Sequence, residues 1–372
     1  MIELDERAYE KVRELFAPVM AHQVFCTGVI DGLYAGRVYV DDAVRPRTAF
    51  AVKDGMWWFL AGSPANRVFN AALHRAMFDR TITGERGWGG MLVCDTPAWD
   101  AYVPVLFAPR IPIATRRLRY VCTEPLAIDW RSEIPAGIDI RFVDDSLAED
   151  GIEVHGAAAE TLELRRASAA PNQAAVGYVA LHERHVVAYS VINGIVNGGG
   201  DIGLYTDAGF RRRGLAFVTS AAVIEYALAH GVDIVHWDCE AFNSGSIRTA
   251  QKLGLTLEGE HTMYVLHLNA TLHEVNRAWL HFDAGRYADA MAICRQHIGA
   301  APMEAHPHFH YVLARSLLET NQSAQAFEAL QQAAAAGWDS VGEVEQDFAL
   351  LCEHADWPSL LAAVRENATS GA

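Results

Sequence analysis

The stretch Asp201–Ala216, DIGLYTDAGFRRRGLA, changes character twice. Ile202-Gly203-Leu204-Tyr205-Thr206 reads as a short strand. Asp207-Ala208-Gly209 then turns the chain, and Arg211-Arg212-Arg213-Gly214-Leu215-Ala216 leads into a helix. A strand, a basic loop and a helix N-terminus in that order form an anion cradle. The first N–H groups of a helix have no partner within it, and the helix dipole adds partial positive charge there. Gly214 lets the backbone approach a bound group where a Cβ would collide.

Outward from the cradle, a helix is expected over Leu215–His230, with Phe217, Ala221, Ile224 and Leu228 on its packed face and Gly231 as its cap. A strand follows over Asp233–Cys239, then Asn243-x-x-Ser246 and Lys252-Leu253-Gly254-Leu255. Arg211-x-x-Gly214-x-Ala216 resembles the acyl-CoA pyrophosphate loop of the GNAT superfamily of N-acetyltransferases. The Asn243 and Lys252 segments resemble two further motifs of that family, in the same order and within about fifty residues. The Trp237-Asp238-Cys239 strand followed by Asn243 and Ser246 is most similar to the zwittermicin-resistance type. The resemblance covers residues 138–268 well.

The resemblance implies acetyl-CoA as acyl donor. Leu204, Tyr205 and Thr206 would pair with the pantetheine arm. Arg211, Arg212, Arg213, Gly214, Leu215 and Ala216 would hold the phosphates, and Asn243 and Ser246 would flank the arm. The acceptor would be a small-molecule amine, such as an antibiotic, an amino acid or a polyamine, attacking the thioester directly.

An amine with a pKa near 10 is only ~10⁻³ neutral at pH 7, so a base is worth about 4 kcal/mol. His236, Asp238, Glu240 and Glu258 are the candidates. Strand alternation puts His236, Asp238 and Glu240 on one side and Trp237 and Cys239 on the other. Asp238 is the first choice, and His236 reads better as a satisfied core histidine. Cys239 reads as a buried hydrophobe rather than an acyl carrier. Where many family members carry a tyrosine that protonates the leaving thiolate, this chain has Ala250, so Tyr264 or a water is left for that role.

Residues 1–132 show the same order of strands and helices without the arginine loop: Ala61-Gly62-Ser63-Pro64-Ala65-Asn66 stands in its place. The expected elements there are a helix over residues 5–20, strands at Arg37–Val40, Thr48–Val52, Met56–Leu60, Met91–Cys94 and Thr115–Cys122, and helices over Pro64–Phe78 and Pro97–Leu106. Asp54-Gly55 signals a hairpin. Asn197-Gly198-Gly199-Gly200 is a turn rather than a phosphate loop, because no Gly-Lys-Ser/Thr follows.

After Leu268 the chain becomes alanine-rich. Gly285-Arg286-Tyr287-x-x-Ala290 is matched 36 residues later by Asn321-Gln322-Ser323-x-x-Ala326, and Asp356-Trp357-x-x-Leu360 extends the series. Such periods resemble tetratricopeptide helix pairs. His306, His308 and His310 mark a helix start rather than a metal site.

The expected architecture is therefore α/β, with tandem GNAT-like domains on mixed central sheets and an all-α repeat tail: a degenerate domain at 1–132, the acetyl-CoA-binding domain at 133–268 and tetratricopeptide-like repeats at 269–372. The 372 residues carry a formal net charge of −16, which argues against a nucleic-acid partner. The tail holds 5 Lys and Arg against 13 Asp and Glu, a composition suited to a basic protein or peptide partner or to self-association. An acidic N-terminus, scattered cysteines and no apolar run long enough to span a bilayer suggest a cytoplasmic protein, no membrane partner and no metal. The competing reading is a non-catalytic acyl-CoA-binding adaptor, which Ala250 favours.

Overall fold

The computed structural model describes residues 1–53, 56–79, 82, 89–168, 174–298 and 306–370. It divides into two compact units, Met1–Leu266 and His267–Ala372.

The first unit is built on one 12-stranded sheet. Its strands are β1 (Ile2–Glu3), β2 (Gly36–Val40), β3 (Thr48–Lys53), β4 (Trp57–Gly62), β5 (Gly90–Cys94), β6 (Ile113–Cys122), β7 (Ile138–Phe142), β8 (Val176–His182), β9 (His185–Val196), β10 (Gly199–Thr206), β11 (Ile234–Glu240) and β12 (Thr256–Leu266). The spatial order is β1-β2-β3-β4-β5-β12-β6-β11-β10-β9-β8-β7. Counted inward from its two edges, the sheet matches β1 with β7, β2 with β8, and so on to β12 with β6. Two neighbouring pairs are parallel, β4 with β5 and β10 with β11; the rest are antiparallel. Strand β6 lies between β12 and β11, so the last strand of the early segment is embedded beside the later one.

The helices of this unit are α1 (Arg13–Met20), α2 (Val24–Ile30), α3 (Arg67–Phe78), α4 (Val103–Leu106), α5 (Asp145–Glu149), α6 (Gly156–Ala167), α7 (Leu215–Ala229) and α8 (Ser244–Lys252). Residues 5–20 are not one helix: a 3₁₀ segment, Glu6–Val12, precedes α1. Tyr9, Val12, Phe16 and Val19 are buried from both pieces, as the periodicity required. Helix α3 begins at Arg67 rather than Pro64, because Asn66 caps it by accepting from the Phe69 N–H at 3.2 Å. Pro97–Leu106 resolves into a 3₁₀ turn and α4. The Asp54-Gly55 turn lies outside the described residues. Asn197 and Gly198, with φ of 50° and 78°, make the two-residue hairpin turn between β9 and β10.

Helix α7 is buried more widely than a single stripe. Phe217, Val218, Ala221, Ala222, Val223, Ile224 and Ala227 all pack into a core with Trp237, Cys239, Tyr120 and Cys122. Each large aliphatic side chain buried there contributes roughly 1.5–3 kcal/mol. Its two buried polar residues, Thr219 and Ser220, meet the Ser190 hydroxyl at 2.8 and 2.9 Å, so no buried hydroxyl in this group lacks a partner. On the other sheet face, α1 and α2 cover a core containing Phe59, Val93 and Met263.

The second unit holds α9 (Ala270–Asp283), α10 (Tyr287–Ile298), α11 (Pro307–Glu319), α12 (Ser323–Ala335), α13 (Val341–Asp347) and α14 (Trp357–Ser370). Helix α11 starts at Pro307 with His306 as its N-cap, while His310 is buried. Among the described residues, no helix is long and apolar enough to cross a membrane and no metal-ligand cluster occurs.

Candidate active site

Strands β10 and β11 are hydrogen-bonded only over Gly199–Asp201 and Ile234–His236. Beyond that point they separate, and a cleft of about 820 Å³ opens between them. A β-bulge between Gly200 and Ile202 interrupts the pairing of β10 with β9, and Asp201 sits at that irregularity, where the splay begins.

One end of the cleft is basic. Gly214 has φ of +84°, and nothing lies within 4 Å of where its Cβ would be. Arg212 also adopts a positive φ of 63°. The backbone N–H groups of Arg212, Arg213, Gly214, Leu215 and Ala216 have no acceptor among the described residues. Arg211, Arg212, Arg248 and Lys252 line this end. Of the residues implied to hold the donor, Leu204, Thr206, Gly214, Leu215, Ala216, Asn243 and Ser246 line the cleft as well. Two implied residues do not. Tyr205 stacks on Tyr189 with ring centroids 5.3 Å apart, and the Arg213 guanidinium lies 4.8 Å over the Phe210 ring. Asn243 caps α8 by accepting from the Ser246 N–H at 3.0 Å, and the Ser246 hydroxyl accepts from the Trp237 indole at 3.0 Å.

The other end is acidic. His236, Asp238 and Glu240 project from one side of β11 toward Arg117 and Arg119 of β6. Asp238 is held by Arg117, whose Nε donates to Oδ1 at 2.5 Å and whose Nη2 donates to the Asp238 carbonyl at 2.9 Å. Glu240 accepts from the same guanidinium. Burial pushes the Asp238 carboxyl up, and the Arg117 cation opposes that rise. His261 Nε2 lies 3.2 Å from Asp238 Oδ2 without hydrogen-bond alignment. Burial lowers His261 and His22 to about 4, so both rings are neutral at pH 7. His236 is lowered as well, chiefly by burial, as suits a core histidine.

Of the five candidates, Asp238 and Glu240 line the cleft, while His236, Glu258 and Tyr264 do not. Glu258 is bound to Arg119 Nε at 2.7 Å and is half exposed. Tyr264 alternates with His261 and Met263 and so points to the opposite sheet face, where its hydroxyl donates to Asp100 Oδ1 at 2.7 Å. Ala250 is fully buried in the core, and among the described residues no tyrosine lines the cleft. The Cys239 thiol is pushed up by burial, which leaves little thiolate for nucleophilic attack.

Asp201 was not among the residues singled out from the sequence. It lines the cleft, and its carboxyl has no hydrogen-bond or ion-pair partner among the described residues. Burial first, and then the nearby Asp238 charge, raise its carboxyl to about 7. Its signal in the sequence was faint: an acidic residue beside three glycines at the start of a central strand.

A family model described as GNAT acetyltransferase matches residues 13–264, entirely within the first unit. Over 263 residues the chain is 22% identical to the uncharacterized N-acetyltransferase YdfB of Bacillus subtilis (strain 168), a match covering 70% of this chain and 97% of that one. A solved GCN5-related N-acetyltransferase-like protein from Streptococcus suis superposes with a TM-score of 0.50 at 21% identity, over 70% of this chain and 98% of the other.

Proposed function

The chain belongs to the GNAT acetyltransferase family and is an acetyltransferase, and from that premise we propose that it moves the acetyl group of acetyl-CoA to the amine of a small molecule by direct attack on the thioester. The observation that carries the proposal is the splay at Asp201, which joins an unpaired strand edge, a cradle of free N–H groups and an unpartnered carboxylate in one cleft.

The residues fit the donor. The open space at Gly214 and the unpaired N–H groups of Arg212–Ala216 suit a pyrophosphate, with Arg211, Arg212 and Arg248 adding charge. The edge of β10 from Ile202 to Thr206, released from β11, suits the amide groups of an extended arm. Bound acetyl-CoA supplies the thioester.

Asp201 takes the proton that leaves the acceptor ammonium, since its carboxyl titrates near neutral pH and is free of other bonds. Asp238, the first choice from the sequence, instead anchors Arg117 and raises Asp201 through its charge. With no phenol lining the cleft among the described residues, the departing thiolate is protonated by water, which a thiol of pKa near 8.5 tolerates.

Within the family we place the chain with the zwittermicin-resistance type, on Trp237-Asp238-Cys239 followed by Asn243 and Ser246. The matched strand order from the two sheet edges supports a tandem origin, in which two GNAT-like halves, 1–132 and 133–268, have exchanged their last strands. The consecutive helices of the second unit support a tetratricopeptide-like reading of 269–372, and the free cysteines support a cytoplasmic site of action. The test of function is free-thiol release from acetyl-CoA over a panel of amines. Release that depends on an amine and on Asp201 is expected. Acetyl-CoA binding without amine-dependent release would return the reading to a non-catalytic adaptor.

A further inference from the structure

Apart from Asp201, one polar side chain at the acidic end of the cleft is also without a partner. Gln23 precedes α2 and is only 7% exposed, yet its side chain makes no capping bond and no other hydrogen bond among the described residues. Its backbone is fixed: the N–H donates to the Val19 carbonyl at 2.9 Å, and its carbonyl accepts from the Thr27 N–H at 3.2 Å. The residue that follows, Val24, reaches to 3.5 Å from where a Gly199 Cβ would sit, so this corner lies over the start of β10, close to Asp201. Gln23 lines the cleft beside Trp57, Met91 and Met263. A carboxamide with no protein partner that opens onto a cleft, on a residue otherwise packed away, is an unfilled recognition group.

We propose that Gln23 selects the acceptor: its carboxamide hydrogen-bonds a neutral polar group, amide or hydroxyl, on a primary amine whose apolar body lies against Trp57, Met91 and Met263. This rests on the proposed acetyl transfer at Asp201. The remaining charges define what is excluded. Asp201, Asp238 and Glu240 line this end with Arg117, and the nearby Arg119 is already held by Glu258, so carboxylates outnumber guanidinium groups and an acceptor carrying its own carboxylate is repelled. A polyamine brings no body to cover the aromatic and thioether wall. A site built to hydrogen-bond a ligand discriminates strongly against analogues lacking the group, because its own polar atom is then left buried and bare. The acceptor class is an amino-acid amide or an amino alcohol with an apolar side chain, rather than a free amino acid or a polyamine.

The experiment compares thiol release from acetyl-CoA with phenylalaninamide, 2-phenylethylamine, phenylalanine and spermidine, using the full chain. The expected kcat/KM for phenylalaninamide exceeds that of each of the others by about tenfold or more. Gln23→Leu should bring the preference for phenylalaninamide over 2-phenylethylamine to within about twofold, while the acetyl-CoA Kd by calorimetry stays at the wild-type value. Should Gln23→Leu fail to fold, the shorter Gln23→Asn reads the same ratio. Equal rates for these two amines in the wild type, or a preference that survives in the variant, would overturn the proposal. If no amine gives turnover, it is the acetyl-transfer reading that fails. Calorimetric binding of phenylalaninamide to the CoA-loaded protein then still decides on Gln23: about tenfold weaker binding in the variant upholds its role, and unchanged binding ends it.

Discussion

The two parallel strand pairs share one topology and differ in how far they stay zipped. Strands β4 and β5 pair from Trp57 with Met91 to Leu60 with Cys94, and the Asp95 N–H extends the pairing to the Leu60 carbonyl at 2.9 Å. The loop that follows is closed by its own neighbours. Asp95 accepts from the Gly62 N–H at 2.8 Å, the Ser63 N–H reaches the Arg47 carbonyl at 2.8 Å, and Asn66 caps α3 while donating to Asp41 and Thr48. A Cβ on Gly62 would stand 2.1 Å from the Arg47 carbonyl oxygen. Strands β10 and β11 part after Asp201, and among the described residues the N–H groups from Arg212 to Ala216 stay free. A strand-loop-helix unit thus becomes an anion site only when the protein leaves the N–H groups unspent. At the β4–α3 loop the protein's own carboxylates stand instead: Asp95 takes the Gly62 N–H, and Asp41 holds the side chain of the capping Asn66.

The largest expected effect follows from that contrast. Gly214→Glu should weaken acetyl-CoA binding by about 100-fold or more, because a charged side chain enters the cradle and the positive φ is strained. Ala65→Glu, at the equivalent loop of the other pair, should leave the Kd unchanged. Calorimetric titration of both folded variants checks this, and equal losses would break the comparison.

Next in size is the carboxylate at the splay. Asp201→Asn should lower turnover at pH 7 by about 10²- to 10⁴-fold and abolish the rise in rate as pH passes through about 7. Asp238→Asn should have a different signature. Losing the Asp238 charge removes one cause of the raised Asp201 carboxyl, so the rising limb of the pH–rate profile should move to lower pH. An unmoved limb would detach the two residues.

Smaller effects are on stability. The folded Asp201 carboxyl, at about 7, lies above the ordinary unfolded value near 3.9. Its contribution to stability is therefore present below pH ~3.9 and lost as pH rises through about 7. Asp201→Asn should gain Tm relative to wild type at pH 8 over pH 4.5, by roughly 2–8 °C in scanning calorimetry. Asn66→Ala should cost roughly 0.5–2 kcal/mol in denaturant unfolding by removing the α3 cap, with acetyl-CoA affinity untouched. A loss of affinity there would mean that the closed pair communicates with the open one.

Local pattern and chain-distant register divided the labour in this protein. The amino-acid sequence alone determined the strand, loop and helix of the cradle, the requirement for glycine at 214, the side of β11 that carries His236, Asp238 and Glu240, and the consecutive helices after Leu268. Each of these depends on residues within a few positions of one another, through alternation, helical period or capping. Tertiary structure decided which carboxylate is free. Arg117, 121 residues from Asp238, reaches it only because β6 is inserted against β11. Tyr264 is lost to the cleft because the register of β12 against β5 turns its hydroxyl to Asp100. Gln23 meets Asp201 in one cleft because α1 and α2 cover that face of the shared sheet. Strand pairing sets these neighbours across more than a hundred residues of chain, a distance over which periodicity carries no information and packing alone chooses the partner.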